Sequence, residues 1–600
     1  MIRTFPYQII STENNTAENC LMQCQTFGYN AAGLEYNSQY FYGDLENIIV
    51  ANSSLVDASR CDVVCSRDAK TICGDVSLLT YYAWEGPALY NWSSPSGNDA
   101  GEYYLHIGGV CIPLMASQMV PFVEKFGTGE SNSTGAYELD LSSIDNFTLA
   151  WRPMHVKNDA FCSARLIVPD IAGRQINLGG WSGESTYGVR LYWPDGSPGQ
   201  WGQNDWQENV NEIHLQVARL MSLLVIGGET GSNASAQPTL ELQPPTGTSV
   251  LTLDFLLRTD PNNLYPFIAV LPSGIFIACY NEAHILDEII FETIKILPSI
   301  PGAVNDAAGG RNYPLEGAMM LLPQFEPYDD LLTVLICGGS TPGGGYALDN
   351  CVSIQPEAEN PTWVIERMPS RRVMPYMVSL PDGTYLIMNA AHHGVAGCGF
   401  GKDPNLNAAL HDPRKPINSR MSIMANTSVA RLYHSEAILL LDGRVLISGS
   451  DPQDSLNPQE YRVEVFTPPY ILSGLHRSTF TLRSKDWTYS QVVSFSITSN
   501  SNLTSRSDVK GSLLGSAVST HGNSMGQRTI FPFVTCGVNT TCTINAPPNA
   551  HVAPPGWYMV FVLIGPTPSE GQWVRIRGDP AMLGKWPNSV GFDLPGVTFS

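Results

Sequence analysis

A recurring unit constrains this chain more than any other feature: an apolar strand, a Pro- or Asp-Gly turn, a second apolar strand and a small-residue ending. Leu271-Pro-Ser-Gly274-Ile-Phe-Ile is one copy, Leu380-Pro-Asp-Gly383-Thr-Tyr-Leu-Ile-Met a second, and Leu441-Asp-Gly443-Arg-Val-Leu-Ile-Ser-Gly449 a third. Glycine adopts positive φ at no steric cost, so a turn of this kind between aliphatic runs predicts a β-hairpin. Gly-Gly pairs close further strands at 179–180, 227–228 and 338–339. The 54 glycines and 43 prolines supply enough punctuation for many short strands, and only 15% of residues are charged. That balance fits a β-rich, turn-rich, extracellular type of protein better than a helical cytosolic one.

A length of 600 residues exceeds one ordinary domain. From 100 to 463 the repeat has a period of roughly 50 residues, the texture of kelch-type propeller blades, and about seven fit. From 464 to 600 the strands come with turn signals every 8–12 residues or so, which predicts an immunoglobulin-like β-sandwich. Residues 1–85 differ again, with cysteines at Cys20, Cys24, Cys61, Cys65 and Cys73. The expected fold class is therefore all-β: a seven-bladed kelch-type β-propeller, then an immunoglobulin-like sandwich, with a small disulfide-rich N-terminal module. Short spacing makes Cys337 with Cys351, and Cys536 with Cys542, candidate disulfides. Thirteen cysteines is an odd number, so at least one lacks an intramolecular partner.

The formal net charge of −22 excludes nucleic acid as a natural partner, because a polyanion would be repelled. No polybasic stretch favours an anionic membrane, and no run of about 18 apolar residues predicts a membrane span. Nine Asn-x-Ser/Thr sequons stand at Asn14, Asn52, Asn91, Asn132, Asn146, Asn233, Asn426, Asn502 and Asn539. With the cysteines they favour export to an oxidising compartment. The opening residues do not read as a signal peptide, so the leader is expected to be absent from this chain.

Three segments carry candidate chemistry: Arg431-Leu-Tyr433-His434-Ser, Ser519-Thr-His521-Gly, and Ala160-Phe-Cys162-Ser. On a regular strand Tyr433 and His434 would point to opposite faces. At an irregular strand mouth they can converge, and imidazole with phenolate suits Cu(II). The bland alternative is a packed tyrosine beside a rim histidine. His392-His393, flanked by small residues, reads as a blade-rim loop rather than a metal site.

Arg-x-Tyr-His-Ser, Leu-x-Asp-Gly-Arg-Val, Thr-His-Gly-x4-Gln-Arg and Pro554-Pro-Gly-Trp-Tyr follow in order. Gly179-Gly-Trp-Ser-Gly and Ala236-Gln-Pro-Thr-Leu-Glu-Leu precede them. Together they resemble the galactose oxidase and glyoxal oxidase family of copper radical oxidases. The resemblance implies one copper ion, with Tyr433 as axial ligand and proton acceptor and His434 and His521 as equatorial ligands. It also implies a second oxidant, a tyrosine joined by a thioether to a cysteine that Cys162 matches. The expected reaction oxidises a small aldehyde or primary alcohol with O2 and yields hydrogen peroxide, in a secreted monomer. The N-terminal cysteine pattern resembles a WSC domain, implying contact with cell-wall polysaccharide. A Cys-Tyr-Cys-Gly motif of that domain is replaced here by Tyr40-Phe-Tyr42-Gly, and its first cysteine, near residue 7, is missing.

One departure touches the chemistry. The family's cross-linked tyrosine follows an arginine, ahead of the Asp-Gly turn. Arg431 to Gly449 spans eighteen positions, but the matching Arg219 to Gly227 spans eight. About ten residues that would hold the tyrosine and its hairpin turn are gone, a loss that a closed propeller should tolerate poorly. Tyr187, Tyr192 and Tyr280 offer no convincing substitute. The rival expectation is a non-catalytic, glycan-binding propeller.

Overall fold

The computed structural model describes residues 3–11, 16–108, 119–123, 135–143, 146–155, 159–169, 173–180, 185–186, 188–192, 206–209, 223–229, 234–243, 250–452, 454–498, 509–537 and 541–577. The sequons at Asn14, Asn132, Asn233, Asn502 and Asn539, the Trp181-Ser-Gly183 motif, Tyr187 and Arg219 to Ser222 lie outside them. The chain is all-β with a few short helices, of which Ala17–Thr26 is the longest described. No helix among the described residues is long and apolar enough to cross a membrane.

The repeated hairpins form for the reason their turns predict. Gly383 and Gly443 stand at φ 86° and 85°. In each turn the glycine N–H donates to the leucine carbonyl three residues earlier, Leu380 at 3.0 Å and Leu440 at 2.9 Å. Asp382 and Asp442 accept from the backbone N–H two residues on, a local Asx bond that holds the turn. Between residues 102 and 467 the described residues form seven successive sheets in which three or four antiparallel strands come from a short stretch of chain, and one two-stranded ribbon, Ala391–His393 with Lys402–Pro404. The last, Ser435–Leu439, Val445–Gly449 and Arg462–Thr467, is completed by Glu102–Gly108. The first strand of this stretch thus pairs with its last, closing a long loop through backbone hydrogen bonds.

The C-terminal residues form two sheets around a shared core that includes Phe480, Trp487, Phe495, Leu513, Ile544 and Val574. Two exchanges join them to the central sheets. Gln324–Phe325 pairs with Thr529–Phe531 of the C-terminal layer. In return the hairpin Val518–Thr520 and Asn523–Met525 adds to the sheet edge at Gly317–Leu321, through Met319 and Asn523. This return hairpin carries His521 at its tip. Cys337–Cys351 and Cys536–Cys542 are disulfide-bonded, as is Cys65–Cys73.

At the N-terminus a four-stranded sheet packs against Ala17–Thr26. Cys20 and Cys24 are buried free thiols on that helix, in one core with Tyr40 and Tyr42. The two tyrosines that replace the expected cysteines therefore cover the thiols with aromatic surface, Tyr42 hydrogen-bonding Cys20, where cysteines would offer disulfides. The module is fixed to the central sheets by a largely buried charged contact. Arg367 donates twice to Asp44, at 2.8 and 2.7 Å, and lies over the Tyr29 ring. Tyr29 donates at 2.6 Å to Asp349.

Candidate metal centre

Each site residue sits where a strand begins or a turn breaks the ladder. Cys162 lies in the turn before Ala164–Ile167, His434 directly before Ser435–Leu439, and His521 between the two strands of the inserted hairpin. All three have left-handed backbone, at φ 59°, 57° and 48°. Such conformations cost a non-glycine residue energy and gather at functional sites. At His434 the turn resolves the obstacle of strand alternation, because Tyr433 and His434 face each other with ring centroids 3.6 Å apart.

The site assembles from segments far apart in sequence. Donor atoms of Cys162, His434 and His521 all lie within 4.8 Å of one another. Cys162 Sγ is 3.9 Å from His521 Nε2. The Tyr433 ring centroid is 6.1 Å from that of His521, and the two histidine rings meet edge to face at 5.5 Å. With metal–ligand bonds of about 2.0–2.3 Å, donors of one ion stand up to roughly 4.6 Å apart, so nitrogen and sulfur are gathered at the right scale. Imidazole nitrogen, phenol oxygen and thiol sulfur are a donor set that suits copper. His521 is prepared as a neutral donor. Burial, aided by the positive charge of Arg165, lowers its pKa to about 3. Thr520 Oγ1 lies 2.7 Å from Nδ1, and in the tautomer whose Nδ1–H donates to that oxygen the Nε2 lone pair is left towards Cys162.

Burial raises the Cys162 thiol and the Tyr433 phenol well above their ordinary ranges. Tyr313 Oη lies 3.3 Å from Tyr433 Oη. Arg311, Arg372 and Arg431 are buried at equivalent places in successive sheets, each donating to a backbone carbonyl: Gly338, Asn389 and Gly449. Tyr313, Met374 and Tyr433 each follow their arginine by two positions. The repeat thus sets Tyr313 beside Tyr433, a placement that Arg-x-Tyr-Pro carried and the sequence reading passed over.

Tyr265, which is not among the tyrosines weighed as substitutes from the sequence, stands beside Cys162. At φ 51° it shares the left-handed backbone of the site. Its ring stacks on His521 at 4.0 Å and 9°. Its hydroxyl donates at 2.8 Å to the Cys162 carbonyl and also contacts the thiol. A distance of 103 residues along the chain concealed this neighbour. The tyrosines weighed from sequence point elsewhere: Tyr192 donates to Glu138 and Tyr280 to the Ala308 carbonyl. His393 faces Asp403 at 3.5 Å on a surface ribbon, outside the three-donor group.

Comparison with known proteins places this arrangement. The glyoxal oxidase N-terminus family matches residues 140–470, the galactose oxidase-like Early set domain 477–576, and the WSC domain 2–75. A WSC domain-containing protein of Arthroderma benhamiae is 57% identical over 100% of this chain, which spans 66% of that relative. A putative aldehyde oxidase, Art an 7, of Artemisia annua is 32% identical over 72% of this chain and 77% of its own length. Aldehyde oxidase GLOX1 of Arabidopsis thaliana is 31% identical over 59% of this chain and 62% of its own. Among solved structures, a fungal alcohol oxidase of the AA5 family in complex with copper shares the fold. Its TM-score is 0.61 at 15% identity, covering 80% of this chain and 99% of that one. The class is that of the galactose-oxidase-like proteins, on an all-β scaffold. Within it, the chain belongs to the glyoxal oxidase family and carries a WSC domain at its N-terminus.

Proposed function

We propose that the protein is an extracellular oxidase in which Tyr433, His434 and His521 hold one copper ion, and that it turns small aldehydes or primary alcohols and O2 into oxidised product and hydrogen peroxide. The observation that carries this reading is the convergence of Cys162, His434 and His521 within 4.8 Å. Copper, when bound, supplies a one-electron acceptor beside the substrate.

The chain's own groups do the rest. Thr520 and the stacked Tyr265 fix the His521 ring, so that its donor nitrogen is oriented before any ion arrives. Tyr433 Oη is the position at which a substrate hydroxyl proton would arrive, and Tyr313 Oη stands next in line to share it. Tyr433, His434 and His521 are nearly buried, which limits water at the reacting atoms. In the same reading the seven sheets are blades of a kelch-type propeller and the C-terminal layers an immunoglobulin-like sandwich. The disulfides and sequons support secretion, and in this reading the protein is a monomer whose WSC domain meets cell-wall polysaccharide.

The tyrosine expected between Arg219 and Gly227 is missing from this sequence, so copper binding is retained in this reading while turnover is low. The test is peroxide release by the copper-loaded protein with methylglyoxal, glyoxal, galactose and glycerol, after sequencing the transcript across residues 219–227. Tight copper binding with little peroxide is the expected result. Absence of copper binding would favour a non-catalytic glycan-binding role.

A further inference from the structure

Glu436 is a buried carboxyl two residues after His434, 1% exposed and outside any role given above. Tyr376 Oη donates to Oε1 at 2.7 Å, and the Ser519 hydroxyl donates to Oε2. The His521 backbone N–H also reaches the carboxyl. Tyr376 Oη in turn accepts from the Gly522 N–H at 3.0 Å. One side chain therefore grips the His521 hairpin at residues 519 and 521 directly, and at 522 through Tyr376. Arg165, 2% exposed and with no hydrogen-bond partner for its guanidinium among the described residues, supplies a positive charge nearby.

A carboxyl in a sheet core is costly unless its bonds are made, and an apolar side chain there is the ordinary solution. The preceding sheet adopts that solution. Counting from the buried arginine, Glu436 stands five residues after Arg431, and the residue five after Arg372 is Met377, also buried. The sheet before that one carries Glu316 five residues after Arg311, also buried, so this place in the repeat admits an acid as well as an apolar side chain. What distinguishes Glu436 is that its strand begins at His434 and that its carboxyl is bonded to the hairpin bearing His521.

We propose that Glu436 is a positioning residue of the metal centre, tying the His521 hairpin to the strand mouth of His434 and so fixing the separation and tilt of the two imidazoles. This rests on the reading of those histidines as copper ligands. Without the carboxyl, His521 would keep Thr520 on its ring but lose the fixed backbone that aims it.

The test compares Glu436→Met, Glu436→Gln and Ser519→Ala in the full chain by Cu(II) competition titration and by electron paramagnetic resonance of the Cu(II) form. Glu436→Met, which copies the neighbouring sheet, should fold and bind Cu(II) about 10–100-fold more weakly, as loss of outer support does elsewhere, with an altered parallel hyperfine splitting. Glu436→Gln, which still pairs with both hydroxyls, should restore the wild-type spectrum. Ser519→Ala should shift the spectrum in the direction of Glu436→Met, and it decides the matter if Glu436→Met does not fold. Wild-type affinity and spectrum in Glu436→Met, or in Ser519→Ala where it decides, would overturn the proposal. A wild-type chain that binds no Cu(II) would instead overturn the ligand reading, and this proposal with it.

Discussion

The two sides of the metal centre are built to different standards. On one side His434 and His521 are held by turn geometry, by Thr520, by the stacked Tyr265 ring and by the Glu436 bracket. On the other, Cys162 has a raised thiol, a hydroxyl from Tyr265 over its carbonyl, and no disulfide. The first side presents two fixed imidazoles, as the proposed copper site requires. The second offers a sulfur whose expected aromatic partner the sequence lacks. Under the proposed function, ion gathering and radical chemistry would be separable, with this chain retaining the first while the second is weakened.

The strongest way to break the comparison is to remove a histidine. His521→Ala or His434→Ala should lower Cu(II) affinity by more than about 100-fold, beyond the loss of an outer-shell partner. Isothermal titration would check this, and an unchanged affinity would move the ion elsewhere. A smaller effect concerns protons. His521 titrates near about 3 when folded because burial disfavours its charge, whereas an unfolded imidazole titrates near 6.5. Its folded pKa is depressed, so this stability is fully present above pH 6.5 or so and is lost as the pH falls towards 3. Within that window the metal-free wild type should lose about 1.4 kcal/mol per pH unit relative to His521→Phe. Parallel urea melts of the two proteins at stepped pH would reveal it, and equal slopes would contradict it.

Much of the fold was legible because turns and periodicity are local. The Asp-Gly hairpins at 380–384 and 440–444 followed from glycine and aspartate chemistry alone. Three segments that meet in space were legible too, since Tyr433-His434, His521 and Cys162 each stand in a distinctive short motif. Tyr265, Tyr313 and Glu436 were not read. Their roles come from which strand mouths meet in space, and a lone Tyr-Pro or a glutamate in a strand has no such mark. Glu436 would even read as a solvated strand residue, although it is buried. The repeated buried arginines were the available signal, since aligning the repeat on Arg311, Arg372 and Arg431 brings Tyr313 and Tyr433 into one register.

Tyr265 touches both sides, so trimming it sharpens the contrast. Tyr265→Phe removes the hydroxyl over Cys162 but keeps the ring on His521. It should cost about 1 kcal/mol of stability, the usual net worth of one hydrogen bond. Cu(II) affinity should stay within about threefold, under 0.7 kcal/mol. Tyr265→Ala, which also removes the stacking surface, should weaken copper binding further. Equal copper affinities in the two variants would show that the ring does not orient His521.

Cys162→Ser should have the smallest effect on the ion, and it is the most informative about the second side. If sulfur takes no part in holding copper, the substitution changes Cu(II) affinity by less than about threefold. A drop beyond tenfold would make Cys162 itself a ligand, in keeping with its place in the 4.8 Å cluster. Intact mass adds an independent reading, because a thioether between cysteine and tyrosine removes two hydrogens, about 2 Da. With no tyrosine supplied between Arg219 and Gly227, the copper-treated wild type should keep both hydrogens. A mass short by that amount, absent in Cys162→Ser, would show that the sulfur had found a ring. Tyr265, whose hydroxyl already touches the thiol, would then be the tyrosine to replace next, and Tyr265→Phe would keep or lose the mass change according to whether another ring is used.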